Sequence, residues 1–145
     1  MIEVDEAPDL TVVVADDDDD IRSLIVIAVA KAKLRLLAAL PDGTAALAAV
    51  REHKPDIVLL DVSMPGLTGL EVTQAIRADG GLTDSIVFIL SAAVDDTAVA
   101  AGFAAGADAY MTKPFSPSTL AAQLLTLIAA QGAVPDLAAP RPPAP

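Results

Sequence analysis

An α/β fold, a five-stranded parallel sheet doubly wound with helices on both faces, follows from three observations in this chain of 145 residues. Short runs rich in Val, Ile and Leu alternate five times with helix-length segments of mixed character. Two of those runs, Val12-Val13-Val14-Ala15 and Ile57-Val58-Leu59-Leu60, stop abruptly at acids, Asp16 to Asp20 in one case and Asp61 in the other. Pro and Gly punctuate the junctions. Alternating strands and helices build a parallel sheet through right-handed crossovers, and near-continuous apolar strands are those covered on both faces.

The elements follow in order. Residues 10–15 read as the first strand, and 21–33 as a helix entered through the acid run, one member of which serves as its cap. Residues 34–39 are read as the second strand, although 32–40 fits continued helix equally well and no glycine separates the two. Pro41-Asp42-Gly43 turns the chain into a helix over 44–53. The third strand spans 57–60, and Pro65-Gly66 marks the turn before a helix over 67–77. Gly80-Gly81 forms a loop before the fourth strand, 86–90, and Asp95 caps a helix over 95–105. A short strand over 109–112 and a helix over 117–130 complete the pattern. One domain is expected over 9–131, with the Pro/Ala-rich residues 132–145 a disordered tail or a linker cut short.

Composition narrows the function. Apolar residues make up 54%, enough for a core, but aromatics are only three Phe and one Tyr, so helices must pack on small side chains. Cysteine is absent, which excludes disulfides and thiolate metal sites. The acidic N-terminus lacks the basic-then-apolar pattern of a secretion signal. The apolar stretch from Leu24 to Ala30 is far too short for a bilayer span, and a soluble cytoplasmic protein without membrane association is expected. The net charge of -11 repels nucleic-acid phosphates, so direct nucleic-acid binding by this chain is not expected.

The chemistry lies at the strand ends. Ligands of open α/β sheets bind outside the carboxyl ends of the strands, where the strand order reverses. Asp16, Asp17, Asp61, Ser91 and Lys113 all fall there and are expected to share one crevice. Acids converging on one sheet edge repel each other unless a cation sits among them. A divalent ion held by oxygen ligands, with room for a phosphate, meets that need. A shift of one position along the acid run would bring Asp18 in as a ligand; otherwise Asp18, Asp19 and Asp20 are solvated or capping residues. His53, the sole histidine, is expected on the surface at a helix end.

Four motifs in order carry a resemblance: Val14-Ala15-Asp16-Asp17-Asp18, Leu59-Leu60-Asp61-Val62-Ser63-Met64-Pro65-Gly66, Leu90-Ser91-Ala92, and the stretch from Ala105 to Phe115 containing Tyr110-Met111-Thr112-Lys113-Pro114. The chain resembles the receiver domain of two-component response regulators. That resemblance implies a flavodoxin-like sheet with strand order 2-1-3-4-5 and a phosphorylation-activated signalling switch, not a turnover enzyme. Asp61 then matches the phosphoacceptor, taking a phosphoryl group from a histidine kinase or histidine phosphotransfer protein. Asp16, Asp17, Asp61 and the Ser63 backbone carbonyl match the Mg²⁺ site, Asp16 acting largely through water. Lys113 matches the lysine that pairs with the acceptor and then with the phosphoryl oxygens, and a cis Lys113-Pro114 bond is implied. Ser91 matches the hydroxyl that moves to the phosphoryl group, and Tyr110 the aromatic that turns inward behind it. The output face would be the fourth helix, fifth strand and fifth helix, engaging a downstream effector or a second copy of the chain. Ser63 and Ala93 stand where the family varies most, and both are small and uncharged.

Other functions fit less well. A haloacid-dehalogenase-type phosphatase would carry a general acid two residues after its nucleophile, where this chain has Ser63. A flavin or nucleotide carrier would have a Ser, Thr or Gly-rich first loop, where this chain has five acids. A phosphorylation-independent interaction module of the same fold is the remaining alternative, but such modules usually lack an acid or the lysine that this chain keeps.

Overall fold

The computed structural model describes residues 10–131 apart from 83 and 94, so the expected tail at 132–145 and the acidic N-terminus lie outside the described residues. The elements are β1 (Thr11–Ala15), α1 (Asp19–Lys31), β2 (Arg35–Leu40), α2 (Gly43–His53), β3 (Ile57–Asp61), α3 (Gly69–Ala78), β4 (Ile86–Ser91), α4 (Asp96–Ala105), β5 (Ala109–Thr112) and α5 (Pro117–Ala130). The strands form one parallel sheet ordered β2-β1-β3-β4-β5. The order reverses at β1, so the switch point lies between β1 and β3, the two strands that end on acids.

Strand side chains alternate between faces, and here both sets are apolar. Val12, Val14, Ile57, Leu59, Phe88 and Leu90 face Ile25, Ala28 and Val29 of α1 and Leu120 and Leu124 of α5. Val13, Ala15, Val58, Leu60, Val87 and Ile89 face α2 and α3, through residues such as Ala46, Val50, Val72 and Ile76. The central strands therefore have no solvated face, which explains their unbroken hydrophobicity.

The second strand forms where expected, and its boundary has a local cause. Helix α1 ends because Lys33 takes a left-handed conformation, φ 63°, a role more often given to glycine. Lys54, φ 48°, does the same after α2, ahead of Pro55. Caps fix the other helix starts: Asp18 for α1, Asp42 for α2, Asp95 for α4 and Ser116 for α5 each accept backbone N–H groups. At α3 a full capping box joins Thr68 and Glu71.

At the far edge of the sheet from the acids, Arg77 ties α3 to β4, α4 and β5. Its guanidinium donates to the Gly106 carbonyl at 2.8 Å, the Ser85 carbonyl at 2.7 Å and the Asp108 carboxylate at 2.7 Å. The Asp108 side chain is only 7% exposed and also accepts the Val87 N–H at 2.9 Å. Arg77→Ala is expected to destabilise the domain by about 3 kcal/mol, the lower end for breaking a buried ion pair, because solvent reaches part of Arg77. Urea unfolding at unchanged slope would measure it, and a loss below about 1 kcal/mol would contradict a buried anchor.

Candidate functional site

The crevice at the switch point is built from strand ends. Asp16 immediately follows β1 and is fully buried, while Asp61 is the last residue of β3 and is 5% exposed. Lys113, one residue beyond β5, spans them, with Nζ 2.9 Å from Asp16 Oδ2 and 3.1 Å from Asp61 Oδ1. The Lys113-Pro114 peptide bond is cis. Asp17, exposed at the rim, completes a cluster in which one carboxylate oxygen each of Asp16, Asp17 and Asp61 lie within 4.8 Å of one another.

Asp16 is held at every polar atom. Its N–H donates to the Leu40 carbonyl at 3.1 Å, its carbonyl accepts from Arg22 at 2.8 Å, Oδ1 accepts the Asp18 N–H at 2.9 Å, and Oδ2 accepts from Lys113. Asp18 caps α1, its Oδ1 accepting the N–H groups of Asp20 and Ile21, and it is not among the three acids whose oxygens cluster. Asp19 and Asp20 form the first turn of that helix, where acids suit the dipole.

Burial, the largest cause, and then the Asp16 charge raise the Asp61 carboxyl above its ordinary value of 3.8; Lys113 opposes the rise and Asp17 adds to it. Burial pulls the Lys113 ammonium down, but its bonds and charge pairing with Asp16 and Asp61 outweigh that and leave it above 10.5. One ammonium thus serves two carboxylates and does not fully compensate either the burial or the repulsion at Asp61. An oxygen-liganded cation would complete the compensation.

Ser63 and Ser91 stand at the carboxyl ends of β3 and β4, Tyr110 lies within β5, and His53 is away from them at the end of α2. Ser63 lies two residues beyond Asp61 and is exposed in the β3–α3 loop. Ser91 ends β4, 5% exposed, and its Oγ accepts the Ala93 N–H at 3.1 Å. Tyr110 of β5 is half-buried and donates its hydroxyl to the Ala93 carbonyl at 2.9 Å. Ser91 and Tyr110 therefore grip the same residue from its two backbone groups. The Tyr110 ring lies against α4 at Gly102, where a Cβ would come within 2.8 Å of ring carbon Cδ2. His53 is exposed at the end of α2.

The response regulator receiver domain family matches residues 12–125. The chain belongs to that family. It is a receiver domain of the two-component signalling type, and its acid cluster fits the family's metal position. It is 40% identical over 113 residues to the DNA-binding response regulator MtrA of Mycobacterium tuberculosis, an alignment covering 78% of this chain and 48% of that one. It is 38% identical to the transcriptional regulatory protein CseB of Streptomyces coelicolor, covering 81% and 48%. The chain thus spans about half the length of the curated relatives it matches. Among solved structures, the chemotaxis response regulator CheY4 of Vibrio cholerae superposes with a TM-score of 0.75 at 29% identity, covering 81% of this chain and 98% of that one. The response regulator DrrB of Thermotoga maritima superposes with the same score at 30% identity, covering 84% and 54%.

Several contacts of this receiver site escape a reading of motifs. Lys113 bonds Asp16 at the shorter distance, not the expected acceptor alone. Gly69, the first residue of α3, sits where a Cβ would meet the Asp61 carbonyl oxygen at 2.2 Å, so α3 can brace the acceptor strand only with glycine there. Arg22 reaches back from α1 to the acid loop. The three-residue spacing of Asp19 and Arg22 is the sequence signal for the last of these contacts.

The raised Asp61 carboxyl makes a signed prediction. Between 3.8 and its folded value the native state holds a proton that the unfolded chain has lost, so stability falls as pH rises through that window. Above the window the deficit is constant. In EDTA, Asp61→Asn is expected to raise the urea midpoint near pH 7 and to lose that advantage as the pH falls toward about 4. An unchanged or lower midpoint at neutral pH would contradict the strained carboxylate.

Proposed function

We propose that this receiver domain is a phosphorylation-controlled switch that takes a phosphoryl group onto Asp61 from a phosphohistidine, with Mg²⁺ as cofactor. The observation that carries the proposal is Asp61 at the strand edge, buried, flanked by Asp16 and Asp17 and paired with Lys113 at 3.1 Å. An Asp61 oxygen attacks phosphorus, the P–N bond to the donor imidazole breaks with its electron pair going to nitrogen, and an acyl phosphate remains. Phosphoryl transfer needs positioning and positive charge more than covalent help, and Lys113 supplies a fixed donor for the developing charge on the equatorial oxygens. Asp17, Asp61 and the Ser63 carbonyl would hold Mg²⁺, with Asp16 set behind them by its own four bonds. When bound, Mg²⁺ neutralises phosphoryl oxygens and offsets the carboxylate repulsion.

Ser91 and Tyr110 would pass the change outward. New phosphoryl oxygens draw the Ser91 hydroxyl away from the Ala93 N–H, which loosens the residue whose carbonyl holds the Tyr110 hydroxyl. Tyr110 is then released to turn inward. The face it leaves, formed by α4, β5 and α5, is poor in charge: α4 carries only Asp96, α5 carries none, and Leu125 is 49% exposed. Such a face suits a downstream effector or a second copy of the chain. The domain's output is binding and its own phosphoryl uptake and loss, not turnover of a separate substrate.

The donor would be a histidine kinase or a histidine phosphotransfer protein, and the compartment the cytoplasm. Among the described residues no helix is long and apolar enough to cross a membrane. Nucleic-acid contact named for relatives about twice as long is not proposed for these residues, whose charge of -11 opposes it. A phosphorylation-independent interaction module would need none of the three acids and lysine that converge here, and no observation favours it.

Incubation with acetyl phosphate and Mg²⁺ is expected to add one phosphoryl group, detected by intact-mass spectrometry. Asp61→Asn and EDTA should each abolish it, and undiminished labelling in either would overturn the assignment. Amide shifts recorded with and without beryllofluoride and Mg²⁺ should move across residues 95–127 as well as at the site. Changes confined to the site loops would refute the proposed output face.

A further inference from the structure

Arg22 occupies an unexpected place for a cation-binding loop. It lies on α1, yet its side chain is 22% exposed and folds back over the acid run. One guanidinium nitrogen, Nη1, donates to the Asp16 carbonyl at 2.8 Å, and the other, Nη2, pairs with the Asp19 carboxylate. A positive charge set into the acids would oppose a second cation by simple repulsion. Its contacts favour the opposite outcome.

The peptide unit is planar, so holding the Asp16 carbonyl oxygen also fixes the direction of the Asp17 nitrogen and α-carbon. The next peptide is held as well, because the Asp18 N–H donates to Asp16 Oδ1 at 2.9 Å. Asp17 is thus suspended between two pinned peptide planes with its side chain exposed at the rim of the cluster. The Asp16–Asp18 bond alone would leave the first of those planes free to rock. Arg22, forked between the backbone before Asp17 and an acid after it, removes that freedom with a planar donor pair that a lysine cannot reproduce.

On the premise that the acid cluster takes Mg²⁺ as proposed above, we propose that Arg22 is a positioning residue of the metal site: it touches neither metal nor phosphoryl group but pre-sets the Asp17 carboxylate for coordination. Preset ligands bind more tightly because less ordering is left for the binding step. Partners that orient metal ligands typically contribute about 10–100-fold to affinity.

The test is a MgCl₂ titration of the full chain, followed by amide chemical shifts, on the wild type and on Arg22→Ala, Arg22→Lys and Asp17→Asn. Arg22→Ala is expected to weaken Mg²⁺ binding by about tenfold, although the change makes the site more negative. Arg22→Lys, which keeps the charge but loses the fork, should fall between it and the wild type. A role through charge alone predicts the reverse sign, so Arg22→Ala binding as tightly as the wild type, or more tightly, would overturn the proposal. If Arg22→Ala does not fold, Arg22→Lys decides, and affinity equal to the wild type would overturn it. The premise has its own readout: a wild type that does not bind Mg²⁺, or that binds it no better than Asp17→Asn, refutes the metal site itself, and the role of Arg22 with it.

Discussion

A single ammonium between two buried carboxylates sets the terms for this domain. Parallel strands β1 and β3 lie side by side at the switch point and deliver Asp16 and Asp61 to one edge, where neither is well solvated. Lys113, arriving from the loop after β5 at the far side of the sheet, is the charge that makes this juxtaposition tolerable. Burial first, and then the Asp16 charge, leave Asp61 raised despite Lys113, so a further positive charge beside it would be stabilising. An edge that were fully neutralised would have less to gain from a bound cation.

The scaffold makes so strained an edge affordable by being rigid beneath it. Both faces of the sheet are covered, so the strand ends have little freedom to splay. The loops above them are anchored through backbone groups: the Asp16 N–H to Leu40, the Gly69 N–H to Val62 and the Lys113 N–H to Ser91. Asp42 and Thr68 cap α2 and α3 next to those loops, and Gly69 lets α3 press on the acceptor strand. The softer contacts are elsewhere, in the pairing of Ser91 and Tyr110 on the Ala93 backbone, each a single neutral hydrogen bond worth about 1 kcal/mol. A stiff centre joined to a lightly held periphery is what the proposed switch would require.

Most of the architecture was legible because it depends on local signals. The five apolar runs announced the strands, of which β1, β3 and β4 are buried and the edge strands β2 and β5 only partly covered. Where the reading was ambiguous, at residues 32–40, the decisive feature was Lys33 in a left-handed conformation, which residue identity does not advertise as a glycine would. The acid run left open which members would cluster; Asp18 caps the first turn of α1, while Asp16 and Asp17 stand with Asp61. The Arg77–Asp108 anchor could not be read from the motifs, since Asp108 lies within the Ala105 to Phe115 stretch but its partner stands 31 residues away in α3.

The sequence by itself determined which groups stand at the strand ends and how strands and helices alternate, since apolar runs, caps and turn residues act over a few positions. Only the tertiary structure decided how those groups share their charges and hydrogen bonds. Lys113 divides itself between Asp16 and Asp61, Arg22 takes the Asp16 carbonyl, and Ser91 and Tyr110 meet at Ala93. Such allocations depend on ångström-scale distances between residues up to 97 positions apart. Those distances exist only once the sheet has brought the strand ends to a common edge.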